Sequence, residues 1–89
     1  MILVDQPIWP AHGRRFAHLV SDTSLDELHG FATDLGLPRR AFHGDHYDLP
    51  DDWWDRAVAA GAQPVDPREL VRRLKAAGLR RRPGTPGPA

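Results

Sequence analysis

A six-residue segment, residues 43–48, holds the densest group of reactive side chains in the sequence. It runs His-Gly-Asp-His-Tyr-Asp, so two imidazoles, two carboxylates and a phenol surround one glycine. Imidazole titrates near neutral pH and is the commonest metal ligand in proteins, and carboxylates bind hard cations. The segment therefore predicts a functional site, although it does not define a reaction.

The spacing within this segment divides it into two pairs. Alternate side chains of an extended chain point to the same side, so His46 and Asp48 share one side. A carboxylate beside an imidazole orients the ring and raises its basicity, and we expect these two residues to form a catalytic acid–base pair. The structural alternative is a pair that only stabilises a loop. His43 and Asp45 share a side in the same way and form a candidate metal site, although such pairs also occur in surface loops by chance.

Short strands and helices are predicted around the segment. The predicted strands cover residues 2–4, 16–20, 41–43 and 63–65. The predicted helices cover residues 24–35, 51–60 and a stretch that begins at residue 66. Ser24 and Glu27 form a capping box for the first helix, and Asp66 followed by Pro67 starts the last one. The alternation predicts an α/β fold with a small three- to four-stranded, mostly parallel sheet and about three helices.

The predicted domain organisation is simple. Residues 1–78 are expected to form a single α/β domain, and residues 79–89 an Arg/Pro/Gly-rich disordered tail. The connection over residues 6–15 is predicted to be a loop because it contains two prolines and a glycine.

The predicted strand ends bring further polar residues into consideration. In a parallel sheet the carboxyl ends of the strands meet at one edge, where ligands bind. Asp5 and Asp22 each follow a predicted strand, so we expect them to converge with residues 43–48 and to position a divalent metal or a ribose hydroxyl. His18 and His29 are expected to reach the same edge as further catalytic imidazoles, although each alone is more commonly a core residue.

Three other side chains are candidate ligand-binding groups. Tyr47 lies inside the reactive segment, but its ring also suits the core. Trp9 gives the predicted loop over residues 6–15 an aromatic surface. Arg56 on the second predicted helix is suited to an anion, although a surface arginine is the commoner case.

Composition excludes several classes of protein. Twelve basic and twelve acidic side chains give zero formal net charge, which argues against a dedicated nucleic-acid binder. The absence of cysteine excludes disulfides and thiolate metal sites. No segment approaches the roughly 20 apolar residues of a membrane span, and the apolar run at residues 1–4 is too short for a signal peptide. A soluble, cytoplasmic protein without membrane association is expected.

Five separated blocks of the sequence resemble a bacterial family catalogued as domain of unknown function 4031 (DUF4031). The blocks lie at residues 2–5, 18–22, 25–32, 35–39 and 46–49, and the resemblance extends over about residues 2–74. It implies a small, single-domain, intracellular bacterial protein with no established activity. It also implies that the better site candidates are Asp5, His18, Asp22, His29, Tyr47 and Asp48. The sequence departs from the family pattern at residues 41–43, which weakens the case for His43 as an essential ligand.

Three functions compete at this stage. The first is a small hydrolase-like enzyme that acts on a phosphate-containing or nucleotide-like ligand, with a divalent metal as the candidate cofactor. The second is a non-catalytic module that binds a small molecule or a protein, in which a homodimer would complete the pocket. The third and weakest is association with nucleic acid through the basic C-terminal helix and tail.

Overall fold

The computed structural model describes residues 1–81, so the predicted tail lies outside the described residues from residue 82 onward. The strands in this range are β1 (Ile2–Val4), β2 (Trp9–Ala11), β3 (Arg14–Ser21), β4 (Tyr47–Pro50) and β5 (Gln63–Pro64). The α-helices are α1 (Leu25–Leu35), α2 (Trp54–Ala59) and α3 (Pro67–Ala76), and 3₁₀ turns cover Arg39–Ala41 and Asp51–Trp53. The predicted α/β class is confirmed.

The sheet is mixed, and in the part of the chain that the structure describes it is mostly antiparallel. Strand β3 is central, because β1 and β2 pair antiparallel with its two halves on one side. Strand β4 pairs antiparallel with β3 on the other side. Strand β5 pairs with β1 at the edge, and this is the parallel pairing. The prediction of a mostly parallel sheet is therefore wrong.

A tight hairpin accounts for much of the difference between the predicted and the observed strand directions. The turn between β2 and β3 consists of His12 and Gly13, whose φ angles are 51° and 75°. Positive φ at both central residues is what a type I′ hairpin turn requires. The predicted loop over residues 6–15 therefore contains a strand, and the chain reverses at once instead of crossing over to a parallel neighbour.

A second difference concerns the strand that was predicted over residues 41–43. The structure places a 3₁₀ turn at Arg39–Ala41 and forms β4 later, at Tyr47–Pro50. The reactive segment therefore leads into a strand instead of following one. This change in order decides which face of the sheet its side chains occupy.

The two faces of the sheet are covered differently. One face packs against α1 and α2 in the larger core, to which Val4, Leu19 and Leu49 contribute fully buried side chains. The other face packs against α3 through a smaller cluster that contains Leu3 and Val20. No helix among residues 1–81 is long and apolar enough to cross a membrane.

Helix α1 forms where the sequence predicts it. Ser24 Oγ accepts a hydrogen bond from the Glu27 backbone N–H at 3.1 Å, which caps the first turn. The helix ends at Gly36, whose φ of 96° lies in the left-handed region that glycine adopts without strain. The positions of α1 and α3 are fixed by such local signals.

Candidate functional site

Two histidines and an aspartate meet on the face of the sheet that α3 covers. His18 and Asp48 are direct partners in the pairing of β3 with β4, and paired side chains lie on the same face about 4.5–5.5 Å apart. His46 precedes β4 and presents its ring edge to His18, with centroids 5.0 Å apart. One ligand atom from each of these residues lies within 4.8 Å of the other two. We call His18, His46 and Asp48 the triad.

The first histidine of the triad is held by a buried carboxylate. Asp5 is 1% exposed, and its Oδ2 accepts a hydrogen bond from His18 Nδ1 at 2.8 Å. Its Oδ1 accepts from the His18 backbone N–H at 2.6 Å, and Trp9 Nε1 donates to Oδ2 at 3.0 Å. The ring of His18 is therefore fixed in orientation, and Nε2 is the nitrogen that remains for a ligand.

The second histidine has the same arrangement. Asp45 is 3% exposed, and its Oδ1 accepts a hydrogen bond from His46 Nδ1 at 2.6 Å. Its Oδ2 accepts from the Arg81 backbone N–H at 2.8 Å, and Arg80 Nη1 lies 3.5 Å from the same oxygen. Metal-binding histidines usually donate their second ring N–H to a carboxylate or carbonyl in this way.

The contact between His46 and Asp48 brings two acceptor atoms together unless a proton or a metal ion lies between them. His46 Nε2 lies 3.2 Å from Asp48 Oδ1, while the Nδ1–H of the same ring is donated to Asp45. In a neutral ring Nε2 would then carry a lone pair, and a lone pair that faces a carboxylate oxygen is repelled. A proton shared between the two atoms removes this conflict, and a metal ion bound by both atoms would also remove it.

His43 and Asp45 do not form the pair of ligands that the sequence predicted. Asp45 is turned toward His46 and the C-terminal segment. His43 lies on the rim, with 56% of its side chain exposed and its Nε2 3.1 Å from Asp48 Oδ2. The two side chains are separated by a tight turn before β4, in which the His43 backbone N–H donates to the His46 carbonyl at 2.8 Å, and His43 is left exposed to solvent.

Asp22 is not part of this site. Strands β1 and β3 run antiparallel, so Asp5 at the end of one and Asp22 at the end of the other lie at opposite ends of the sheet. Asp22 instead contacts the Met1 ammonium at 2.9 Å and Arg73 at 2.5 Å. The hydrogen bond from the ammonium is the largest cause that lowers the pKa of Asp22, and Arg73 contributes further. The expected convergence of Asp5 with Asp22 is therefore wrong.

His29 and Tyr47 lie on the opposite face. Tyr47 is 1% exposed within the larger core, and its hydroxyl lies 2.7 Å from His29 Nδ1. Arg39 Nη2 lies 3.1 Å from His29 Nε2. Burial is the main cause that lowers the pKa of His29, and the Arg39 cation adds to it. The structure pairs these two predicted residues with each other and not with the triad.

The remaining predicted residues divide between the site and its surroundings. The Trp9 ring lies 5.0 Å from the His18 ring and belongs to the site. Arg56 donates to the Leu35 carbonyl at 3.0 Å and stacks over the Trp53 ring at 4.4 Å. Arg56 therefore connects α2 to α1 and does not face the triad.

Two residues outside the predicted set of site residues contribute to the site. Trp54 Nε1 donates to the Asp5 carbonyl at 2.8 Å and so fixes the backbone that carries the first carboxylate. Arg80 lies beside Asp45, although in the sequence it is one of several basic residues near the C-terminus. No local pattern marks Arg80, because its position depends on where the chain emerges from α3.

The comparisons with known proteins identify a family without assigning an activity. Searches against curated proteins and solved structures give no match. A family model described as "Protein of unknown function (DUF4031)" matches residues 2–77. The five blocks that carried the resemblance lie inside this range, and the match covers most of the 89 residues. The chain belongs to the DUF4031 family.

Proposed function

We propose that this protein is a divalent-metal-dependent hydrolase that acts on a phosphate-containing or nucleotide-like ligand. One observation carries the proposal. Two buried carboxylates, Asp5 and Asp45, bind the Nδ1 atoms of His18 and His46. This leaves both Nε2 atoms available beside the carboxylate of Asp48, within one cluster of ligand atoms.

The ligand set favours a borderline metal such as Zn²⁺, Mn²⁺ or Fe²⁺. Imidazole nitrogen suits these ions better than it suits Mg²⁺ or Ca²⁺. Ligands at about 2.0–2.2 Å from a common ion are at most about 4.4 Å apart, so small rotations of the side chains would close the triad around it. Three protein ligands leave coordination positions open, which is typical of catalytic sites and not of structural ones.

The chemistry divides between the cation and the chain. A divalent cation held by His18, His46 and Asp48 would supply Lewis acidity toward a phosphoryl oxygen and toward the attacking water. In hydrolysis one P–O ester bond breaks, water adds a hydroxyl group to phosphorus, and the proton of that water goes to the departing alcohol. His43 is placed to carry that proton, because it is exposed and its Nε2 lies 3.1 Å from Asp48 Oδ2.

The test is release of inorganic phosphate from p-nitrophenyl phosphate and from a nucleoside monophosphate by the full-length protein. Activity should require added Zn²⁺ or Mn²⁺ and disappear with a chelator. We expect His46→Ala to abolish it and His29→Gln, which changes an imidazole on the opposite face, to retain it. Metal-independent turnover, or equal losses in the two variants, would contradict the proposal.

A non-catalytic binding module is the second candidate. A cavity of about 280 Å³ lies beside His18 and His46 and is lined on its other side by apolar residues of α3. Such a cavity holds a small molecule whether or not chemistry follows. Tight binding of a phosphate compound without turnover under any metal would favour this candidate. We also retain nucleic-acid association through the basic C-terminal helix and tail as a weaker proposal. A variant with Arg68, Lys75 and Arg82 changed to glutamine tests it without removing the contacts that Arg80 and Arg81 make to Asp45, and unchanged binding to nucleic acid at low salt would contradict it.

A further inference from the structure

The cavity beside the triad has a polar wall and an apolar wall. His18 and His46 form the polar wall, and Leu70, Val71 and Leu74 of α3 form part of the apolar one. The Trp9 ring is 39% exposed and also lines the cavity. A ligand that fills this space would therefore place one end at the imidazoles and an apolar or aromatic body against α3 and Trp9.

The carboxylates that line the cavity already have hydrogen-bond partners, and an arginine with unused donors lies beside them. Asp5 and Asp45 line it, but the oxygens of Asp5 accept bonds from His18 and Trp9. Those of Asp45 accept bonds from His46 and the Arg81 backbone. Arg80 also lines the cavity. Within residues 1–81 its guanidinium has one polar contact, at 3.5 Å to Asp45, although a guanidinium carries five N–H donors. Arg80 can therefore bind an anionic group of a ligand.

The volume of the cavity limits the size of that ligand. About 280 Å³ lies just below the range of roughly 300–1,000 Å³ that is typical of small-molecule sites. A nucleoside triphosphate would extend well beyond it, whereas a phosphate group with one small ring fits. The cavity therefore favours the small members of the phosphate-containing class that we proposed as substrates.

From these observations we infer that the cavity binds a compact organic phosphate ester. Arg80 binds the phosphate group next to the triad, and the apolar or aromatic group lies between Trp9 and Val71. This inference narrows the substrate of the proposed function and rests on it. Arg80, which follows α3, is the specificity-determining residue for the anion.

The test uses phenylphosphonate, which has a C–P bond and is not hydrolysed, with inorganic phosphate as the comparison. Both are titrated calorimetrically into the full-length protein, once with Zn²⁺ and once with chelator. We expect phenylphosphonate to bind more tightly than phosphate. Arg80→Gln should weaken both by roughly ten- to hundredfold, the usual effect of losing a charge-assisted hydrogen bond. Arg68→Gln removes the same charge from an exposed position of α3 and should leave both affinities unchanged.

A second variant tests the apolar wall. Val71→Trp fills the cavity and should weaken phenylphosphonate while sparing inorganic phosphate; thermal unfolding verifies that the variant folds. Equal binding of both anions by Arg80→Gln and the unaltered protein would overturn the inference. A different result would separate the two proposals. If the unaltered protein binds no Zn²⁺ but still binds phenylphosphonate in chelator, and Arg80→Gln weakens that binding, the proposed metal enzyme is overturned and the anion site stands.

Discussion

The two faces of the central sheet differ in what covers them, and the difference separates the core from the candidate site. Helices α1 and α2 pack on one face, where Leu19 and Leu49 are fully buried. The other face is covered only in part, because α3 covers Val20 while the imidazole of His18 next to it remains 30% exposed. We call the face with α1 and α2 the covered face and the face with α3 the open face. Neighbouring positions on one strand therefore belong separately to the core and to the candidate site.

The same contrast is found in two histidines. His18 on the open face has a buried carboxylate at its Nδ1. His29 on the covered face has a phenol and a guanidinium as partners, and burial together with Arg39 lowers its pKa. A carboxylate is the usual partner of the second ring nitrogen in metal-binding histidines, whereas burial and an arginine disfavour the charged form of His29. The partners, and not the residue type, distinguish the two imidazoles.

The largest expected effect is on the free energy of unfolding, in a comparison of two adjacent residues of β4 that point to opposite faces. Leu49→Ala should lower the free energy of unfolding by about 2–5 kcal/mol, because it leaves a cavity in the core. Asp48→Asn, on the open face, should change it by less than about 0.5 kcal/mol. Urea denaturation of both variants measures the difference. A cost for Asp48→Asn close to that of Leu49→Ala would show that the open face is structural.

The next largest effect is on metal affinity, and it distinguishes Asp5, which follows β1, from Asp22, which follows β3. Asp5→Asn keeps the size of the side chain but replaces an oxygen that accepts from His18 Nδ1 or from the backbone. We expect about ten- to hundredfold weaker Zn²⁺ binding, the usual result of altering a residue that orients a metal ligand. Asp22→Asn, at the far end of the sheet, should leave the affinity unchanged. Calorimetric titration with Zn²⁺ compares them, and equal affinities would remove Asp5 from the site.

The smallest effect is a pH dependence from the covered face. The pKa of His29 is lowered in the folded protein from its usual value of 6.5, so the unfolded chain binds more protons below that pH. The stability that neutral His29 contributes is complete above the unfolded pKa and is lost as the pH falls from there through the folded pKa. The free energy of unfolding of His29→Gln should therefore fall less over this window than that of the unaltered protein. Urea denaturation at several pH values between about 5 and 8 measures both slopes, and identical slopes would contradict the assignment.

Local signals predicted the helices better than the sheet. Ser24 and Asp66 accept hydrogen bonds at the starts of α1 and α3 as their sequence patterns indicate. Strand β2 contains Pro10 and lacks alternation, so nothing local distinguishes it from a loop. The His12-Gly13 turn is a weaker hairpin signal than Asn-Gly or Asp-Gly. The direction of strand pairing depends on such turns and was therefore missed.

The candidate site was predicted only in part, because the error in strand pairing also affected the choice of site residues. His18, His46 and Asp48 were selected by residue type and spacing, and the structure brings them together. Asp22 was included through the assumed parallel sheet, so the error in pairing carried over to the site. The contacts of Asp5 with Trp54 and of Asp45 with Arg80 join residues far apart in the chain, and no spacing encodes them.

The central claim is that the triad binds a divalent cation, and metal stoichiometry tests it most directly. Full-length protein without an affinity tag would be dialysed against Zn²⁺, freed of excess ion and analysed for metal, beside His46→Ala, Asp48→Asn and His29→Ala. We expect one tightly bound ion per chain in the unaltered protein and in His29→Ala, and its loss in the two triad variants. An unaltered protein without bound metal, or a His46→Ala protein that retains it, would contradict the account.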